Sequence, residues 1–182
     1  RETKDIYAPV AARLGMRDMQ VELEDLAFQA YYPMRAKHIR RAVVQARGQR
    51  KDVISSIEQA IRERLHQEKL PGLVTGREKH LYSIYTKMKA QRKSCSDIMD
   101  VFAFRIVTET VDDCYRVLGA IHNLYKPVHG RFKDYIAIPK ANGYQSLHTE
   151  LFGAKGIAIE VQIRTHEMDA VASQGIAEHS HY

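Results

Sequence analysis

Ile157-Ala158-Ile159-Glu160-Val161-Gln162-Ile163-Arg164 is the stretch that decides the fold. Ile157, Ile159, Val161 and Ile163 point one way; Glu160, Gln162 and Arg164 point the other. Strict alternation of this kind predicts a β-strand with one face in a core. The opposite face carries a carboxylate, an amide and a guanidinium at alternate positions. That face reads in two ways, as a solvent-exposed sheet surface or as the lining of a polar site. Thr165 then caps a helix with Met168, Val171, Ala172 and Ile176 on one side.

Working outward, Val101 to Thr108 predicts a second strand, headed by Asp100. It is apolar on both faces except at Arg105, which marks a central strand. A lone arginine in a buried strand needs a partner or a ligand. Thr110-x-x-Asp113 caps a helix carrying Val117, Leu118, Ile121 and Leu124. Upstream, Leu73-Val74-Thr75 predicts a short strand, and Gly76-Arg77-Glu78-Lys79 opens a helix to about Lys93 with Leu81, Ile84, Tyr85 and Met88 apolar. Lys79, Ser83 and Lys87 recur at every fourth position of that helix and share a face. The stripe is either a solvated basic face or, with Arg77 at the helix start, a clamp for a polyphosphate.

Between the last two strands lies Gly130 to Thr149, with Arg131, Lys133, Lys140, Tyr135, Tyr144 and His148 around Asn142-Gly143. Asn-Gly favours positive φ, hence a tight turn. It separates a strand near Tyr135–Ile138 from one running from about Gln145 to Phe152; Gly153 to Gly156 is a further turn. Lysine, an aromatic face and amide groups suit a flat anionic ligand such as a purine nucleotide. A basic β-hairpin without a ligand would show the same composition.

Residues 1–70 read as helical. Val21, Leu23, Leu26, Ala27 and Ala30 fall at helical spacing, and Tyr31-Tyr32-Pro33 breaks the run. Pro33 suits the first turn of a second helix, with Gly48 as its stop. A third helix from about Asp52 carries Val53, Ile54, Ile57, Ile61 and Leu65 as one stripe. Pro71-Gly72 is the best hinge, giving a helical connector at 1–70 and a second domain at 71–182.

The chain has 182 residues and a net charge of +6, which points to anionic partners such as nucleotides. Cys95 and Cys114 have neither redox nor zinc spacing, so they read as thiols of a reducing compartment. No signal peptide opens the chain and no run is long enough to span a membrane. The expectation is a cytoplasmic piece of a longer protein, with no membrane partner. Walker A, GxGxxG and HExxH motifs are absent, and no histidine is followed by Asp. Asp100 and Glu160, on separate strands of one sheet, remain as oxygen ligands for a phosphate-bound Mg²⁺. The histidines of His179-x-His181 could hold a metal only weakly.

At this point the motifs resemble those of a known family. Gly76-Arg77-Glu78-Lys79-His80-Leu81-Tyr82-Ser83-Ile84-Tyr85 followed by Lys87, Asp100 before Val101, Lys140-Ala141-Asn142-Gly143-Tyr144-Gln145-Ser146-Leu147-His148-Thr149, and Glu160-Val161-Gln162-Ile163-Arg164-Thr165 occur in the order found in the synthetase domain of RelA/SpoT alarmone enzymes. The SpoT branch is the most similar. The resemblance implies a nucleotidyltransferase-like α+β fold: a mixed, largely antiparallel sheet flanked by helices, preceded by the helical segment. It implies transfer of pyrophosphate from ATP to the 3′-hydroxyl of GDP or GTP, giving ppGpp or pppGpp, with Mg²⁺ as cofactor. Arg77 and Arg105 would then stack on adenine, and Lys79, Ser83 and Lys87 would meet ATP phosphates. Lys133, Lys140, Asn142, Tyr144 and His148 would serve the guanine nucleotide, with Tyr144 stacked on the base. Asp100 and Glu160 would be catalytic and bind the metal, Glu160 also accepting the 3′ proton.

Arg131-Phe132-Lys133-Asp134 is similar to the RxKD form of bifunctional members. This implies a parent that also hydrolyses ppGpp, with a hydrolase domain upstream and regulatory domains downstream as partners. One departure stands out: where the family ends this domain with Ala-Ala-His-Trp, this chain has Ala177-Glu178-His179-Ser180. That keeps open an alternative, a nucleotide-binding regulatory domain weak or silent in synthesis. A basic RNA-binding domain fits less well, because the basic residues fall in a loop and not along a stripe.

Overall fold

The computed structural model describes residues 17–77, 79–99 and 101–174. Asp100, Ile176, the Ala177–Ser180 segment and His179-x-His181 lie outside the described residues. The chain divides into two units. One comprises residues 1–49, 78–100 and 171–182, the other residues 50–77 and 101–170.

The described residues of the first unit are largely helical. Helix α1 spans Arg17–Tyr31, α3 spans Leu81–Gln91 and α4 spans Cys95–Met99; α2, Pro33–Gln67, contributes its first part. Phe28, Ala36, Ile39, Ile84, Cys95 and Ile98 form the buried core. The Phe28 and Tyr85 rings stack at 4.9 Å. Pro33 opens α2 as expected, since its missing N–H is one that the first turn would leave unpaired anyway.

Two expectations need correction here. Gly48 does not stop a helix: α2 runs unbroken from Pro33 to Gln67. A glycine inside a helix costs only about 1 kcal/mol, and with no proline behind it the following Gln49, Arg50 and Lys51 carry the helix on. The basic helix also begins later than expected, at Leu81. Gly76 belongs to strand β1, Leu73–Gly76, and the Arg77 N–H donates to Ala103 O at 2.8 Å, continuing the ladder. Pairing with a neighbouring strand thus outcompetes a helical start at Gly76. His80 stands at the N-cap without a side-chain cap; Asp25 of α1 supplies one, accepting from the Tyr82 N–H at 3.0 Å.

The second unit is built on the sheet. Strand β2 is Val101–Thr108, β3 Lys126–Pro127, β4 Lys133–Asp134, β5 Leu147–Phe152 and β6 Ala158–Thr165; α5 is Val111–Leu124 and α6 begins at His166 and ends at Gln174. The order is β1-β2-β6-β5-β3, with β4 also pairing β5. Among the described residues only β2 and β6 run parallel; the other pairs are antiparallel. The mixed, largely antiparallel sheet is therefore as expected, and β2 is central.

One face of the sheet is the core. Phe104 and Ile106 of β2, Ile159, Val161 and Ile163 of β6 and Leu147 and Leu151 of β5 join Ile57, Ile61 and Leu65 of α2 and Val117 and Ile121 of α5. Burying each such side chain contributes about 1.5–3 kcal/mol. Both caps read from the sequence are made: Thr110 Oγ1 accepts from the Asp113 N–H at 3.1 Å, and Thr165 Oγ1 accepts from the Met168 N–H at 3.2 Å. Both cysteines are free and buried, and burial pushes the Cys114 thiol up to about 11.

The expected strand at Tyr135–Ile138 is instead a turn, and the strand is the short β4 before it. Asp134 causes this. Its Oδ1 accepts from the N–H groups of Ile136 and Ala137, each at 2.9 Å, so the side chain takes donors that a ladder would need.

Candidate functional site

Opposite the core, the sheet of the second unit presents a polar face. Strand register sets one row across it: Thr75 opposes Arg105, Arg105 opposes Gln162, Gln162 opposes His148 and His148 opposes Lys133. In the next row Glu160 lies between Ala103 and Glu150. Directly opposed residues point to the same side of a sheet. Register alone therefore brings Arg105, Lys133, His148 and Glu160 together from four strands.

This face is not an ordinary solvated surface. Arg164 is only 2 % exposed and Gln162 4 %. Buried charge demands partners. Arg164 Nη2 donates to Gln162 Oε1 at 2.5 Å and to Tyr144 Oη at 2.7 Å. Its Nη1 lies 3.4 Å from Asp169 Oδ1 in α6. Arg105 Nη1 reaches the same oxygen at 3.5 Å, which supplies the partner that a lone arginine in β2 required. Arg77 Nη1 stands 3.9 Å from Glu160 Oε1, and Arg131 Nε 3.8 Å from Glu150 Oε2.

The loop before β5 closes on itself. Gly143 has φ +80°, and its N–H donates to Lys140 O at 2.8 Å. Asn142 Oδ1 accepts from the Tyr144 N–H at 3.1 Å. The turn expected at Asn142-Gly143 is present, and it fixes the Tyr144 backbone. Lys140 Nζ sits 4.7 Å from the Tyr135 ring centre and 5.1 Å from that of Tyr144. Tyr135 meets the His148 ring edge-on at 5.2 Å. Tyr144 Oη is 2.8 Å from His148 Nε2. Burial, together with the charges of Arg164, Lys140 and Arg77, and against the pull of Glu160, brings the His148 pKa down to about 4.

The remaining named residues lie in the first unit. Lys79 precedes α3, so the expected three-residue helical stripe reduces to Ser83 and Lys87, both exposed. Lys79 Nζ donates to Ile98 O at 3.2 Å. Asp100 lies outside the described residues. Among the described residues there is no group of three or more His, Cys, Asp or Glu side chains able to hold a metal. The carboxylates of Glu160 and Glu150 oppose each other in the second of these rows, and Mg²⁺ needs only one or two such groups beside a substrate's phosphates.

Sequence reasoning left Asp169, Glu150 and Tyr135 unassigned and gave no role to Gln162 or Arg164. Glu150 follows His148 by two residues in β5, a period-2 signal that was available. Asp169 carries no such signal, because its place depends on how α6 leaves β6.

Chemically, this face joins several cations, a stackable tyrosine and a half-buried carboxylate within one sheet. The sequence profile described as a region found in RelA / SpoT proteins matches residues 76–182. The chain belongs to the RelA/SpoT family. It is 54% identical over 182 residues to a guanosine-3′,5′-bis(diphosphate) 3′-pyrophosphohydrolase of Vibrio cholerae serotype O1, covering 100% of this chain and 26% of that protein. It is 53% identical to the bifunctional (p)ppGpp synthase/hydrolase SpoT of Escherichia coli K12, again covering 26% of that protein. A GTP pyrophosphokinase of Myxococcus xanthus is 46% identical, with 24% covered. The chain thus spans about a quarter of the length of these relatives. Among solved structures, small alarmone synthetase 1 of Bacillus subtilis bound to its product pppGpp matches with a TM-score of 0.55 and 27% identity, over 75% of this chain and 78% of that one. Membership accounts for the RelA/SpoT motif order and for the fold. No helix among the described residues is long and apolar enough to cross a membrane.

Proposed function

We propose that this chain carries the synthetase activity of a longer SpoT-like protein: transfer of the β,γ-pyrophosphate of ATP to the 3′-hydroxyl of GDP or GTP. The observation that carries the reading is the polar sheet face, where Glu160, Arg105, His148 and Lys133 stand in adjacent register rows. Relatives named as a (p)ppGpp synthase/hydrolase and as a GTP pyrophosphokinase support it, as does the likeness to a synthetase that binds pppGpp.

In this reading Tyr144 stacks on guanine, with its rim fixed by Arg164 and His148. Lys140 leaves the notch between Tyr135 and Tyr144 to meet the acceptor's phosphates, beside Lys133. Arg77 and Arg105 stack on adenine, while Lys79, Ser83 and Lys87 serve the triphosphate. Glu160 takes the proton of the 3′-hydroxyl. The 3′-oxygen then bonds to the β-phosphorus, the bond from that phosphorus to the α–β bridging oxygen breaks, and AMP leaves with the electron pair. Such a reaction is driven by positioning and charge stabilisation, which is what a face of guanidiniums and ammoniums supplies. Glu160 and Asp100 would hold Mg²⁺, which when bound neutralises the triphosphate and orients it. His148 is neutral at physiological pH, so it acts as a hydrogen-bonding group and not as a cation.

The parent would also hydrolyse ppGpp through a domain outside this chain, and the chain's place would be the cytoplasm. The test is an assay with Mg²⁺, ATP and either GDP or GTP, following ppGpp or pppGpp and AMP by chromatography. Product that vanishes with Glu160→Gln supports the reading. Guanine nucleotide binding without any product would favour the regulatory alternative.

A further inference from the structure

Asp169 is the shared counter-ion of two arginines that the reading above assigns to opposite ends of the site. Arg105 and Arg164 both reach its Oδ1, at 3.5 and 3.4 Å. Arg164 in turn donates to Tyr144 Oη at 2.7 Å. One carboxylate oxygen therefore lies between the arginine proposed for adenine and the tyrosine proposed for guanine. The Nε of each arginine is buried and has no hydrogen-bond partner. Two like charges held by a single acceptor compete for it, and what one releases the other gains.

We propose that Asp169 is a positioning residue that couples the two nucleotide subsites, so that ATP binding at Arg105 tightens guanine nucleotide binding at Tyr144. This rests on the two-nucleotide reading of the face. When an adenine ring draws Arg105 away, Asp169 serves Arg164 alone. Arg164 is then held more firmly, and its bond fixes the Tyr144 phenol in the orientation that stacking requires. Coupling between sites is a free energy shared by both ligands, so GDP must tighten ATP binding by the same factor.

The experiment is calorimetric titration of the full chain with GDP, in Mg²⁺, with and without saturating α,β-methylene-ATP. The native protein should bind GDP about fivefold or more tightly with the analogue present, within the usual range of such couplings. With Asp169→Asn the ratio should fall to about one, while GDP and the analogue each still bind alone. Asp169→Glu should restore part of the ratio. Should Asp169→Asn fail to fold, Asp169→Ser serves in its place, since a short hydroxyl removes the shared charge and leaves both arginines and Tyr144 in the chain. A ratio near one in the native protein, or the native ratio retained in Asp169→Asn, overturns the coupling and leaves the functional reading standing. No binding of GDP to the native protein would overturn both.

Discussion

The phenol oxygen of Tyr144 lies 2.8 Å from Nε2 of His148. Arg164 Nη2 donates to that same oxygen at 2.7 Å. An oxygen that accepts from the guanidinium has its own proton to give, so Tyr144 donates to Nε2. Neutral His148 then carries its hydrogen on Nδ1. The order of donors runs one way, from Arg164 through Tyr144 to His148, and it fails if His148 is protonated.

Stability should therefore depend on pH through His148. Its pKa is about 4 in the folded chain against an ordinary 6.5. Below 6.5 the unfolded chain takes up a proton that the folded chain refuses. Stability thus falls as pH drops from 6.5 towards 4 and is unaffected by this group above that window. By linkage the loss at pH 5 is about 2 kcal/mol. Urea unfolding at pH 7 and pH 5 measures it. His148→Gln, which cannot titrate, should show a smaller difference between the two; an equal difference would assign the loss to other groups, such as His122, which burial also shifts down.

Ring and hydroxyl of Tyr144 make separable contributions. Tyr144→Ala should weaken GDP binding by about 1–3 kcal/mol, the range for a lost base–aromatic stack. Tyr144→Phe keeps the ring and removes the oxygen that Arg164 and His148 share. It should leave much of the GDP affinity and cost about 1 kcal/mol of folding stability. Calorimetry with GDP, paired with denaturant midpoints, separates the two. Equal GDP affinities for the Ala variant and the native chain would remove the stacking role.

In the proposed function Glu160 accepts the proton of the 3′-hydroxyl, and Arg77, at 3.9 Å, is its charge partner. Glu160→Gln preserves shape and removes both basicity and charge. Synthesis should drop by at least about 100-fold, as expected for loss of a general base, with GDP affinity changed little. Turnover at the native rate would exclude Glu160 as the base.

How far the sequence foretold this molecule depended on which force decided each part. Where a two-residue period or a short cap was decisive, it was legible: the β6 alternation, the central place of β2, the Thr110 and Thr165 caps and the Asn142-Gly143 turn all emerge from local chemistry. Where a local signal competed with pairing across the chain, it misled. Gly76 looks like a helix opening until β2 offers it a ladder partner, and Tyr135–Ile138 looks like a strand until Asp134 claims its amides. The polar face of β6 was ambiguous from its residues alone. Burial of Arg164 depends on Gln162, Tyr144 and Asp169, three neighbours that no single segment reveals.

Gly48 offers a direct check on why the helix boundary was misread. It sits inside α2 with nothing within 4 Å of where a Cβ would stand. No turn or close approach requires a glycine there, so its only intrinsic effect is to make the unfolded chain more flexible. Gly48→Ala should then stabilise the protein by about 0.5–1 kcal/mol, seen as a higher urea midpoint with an unchanged slope. A destabilised variant would overturn this account and show that α2 needs the glycine at position 48.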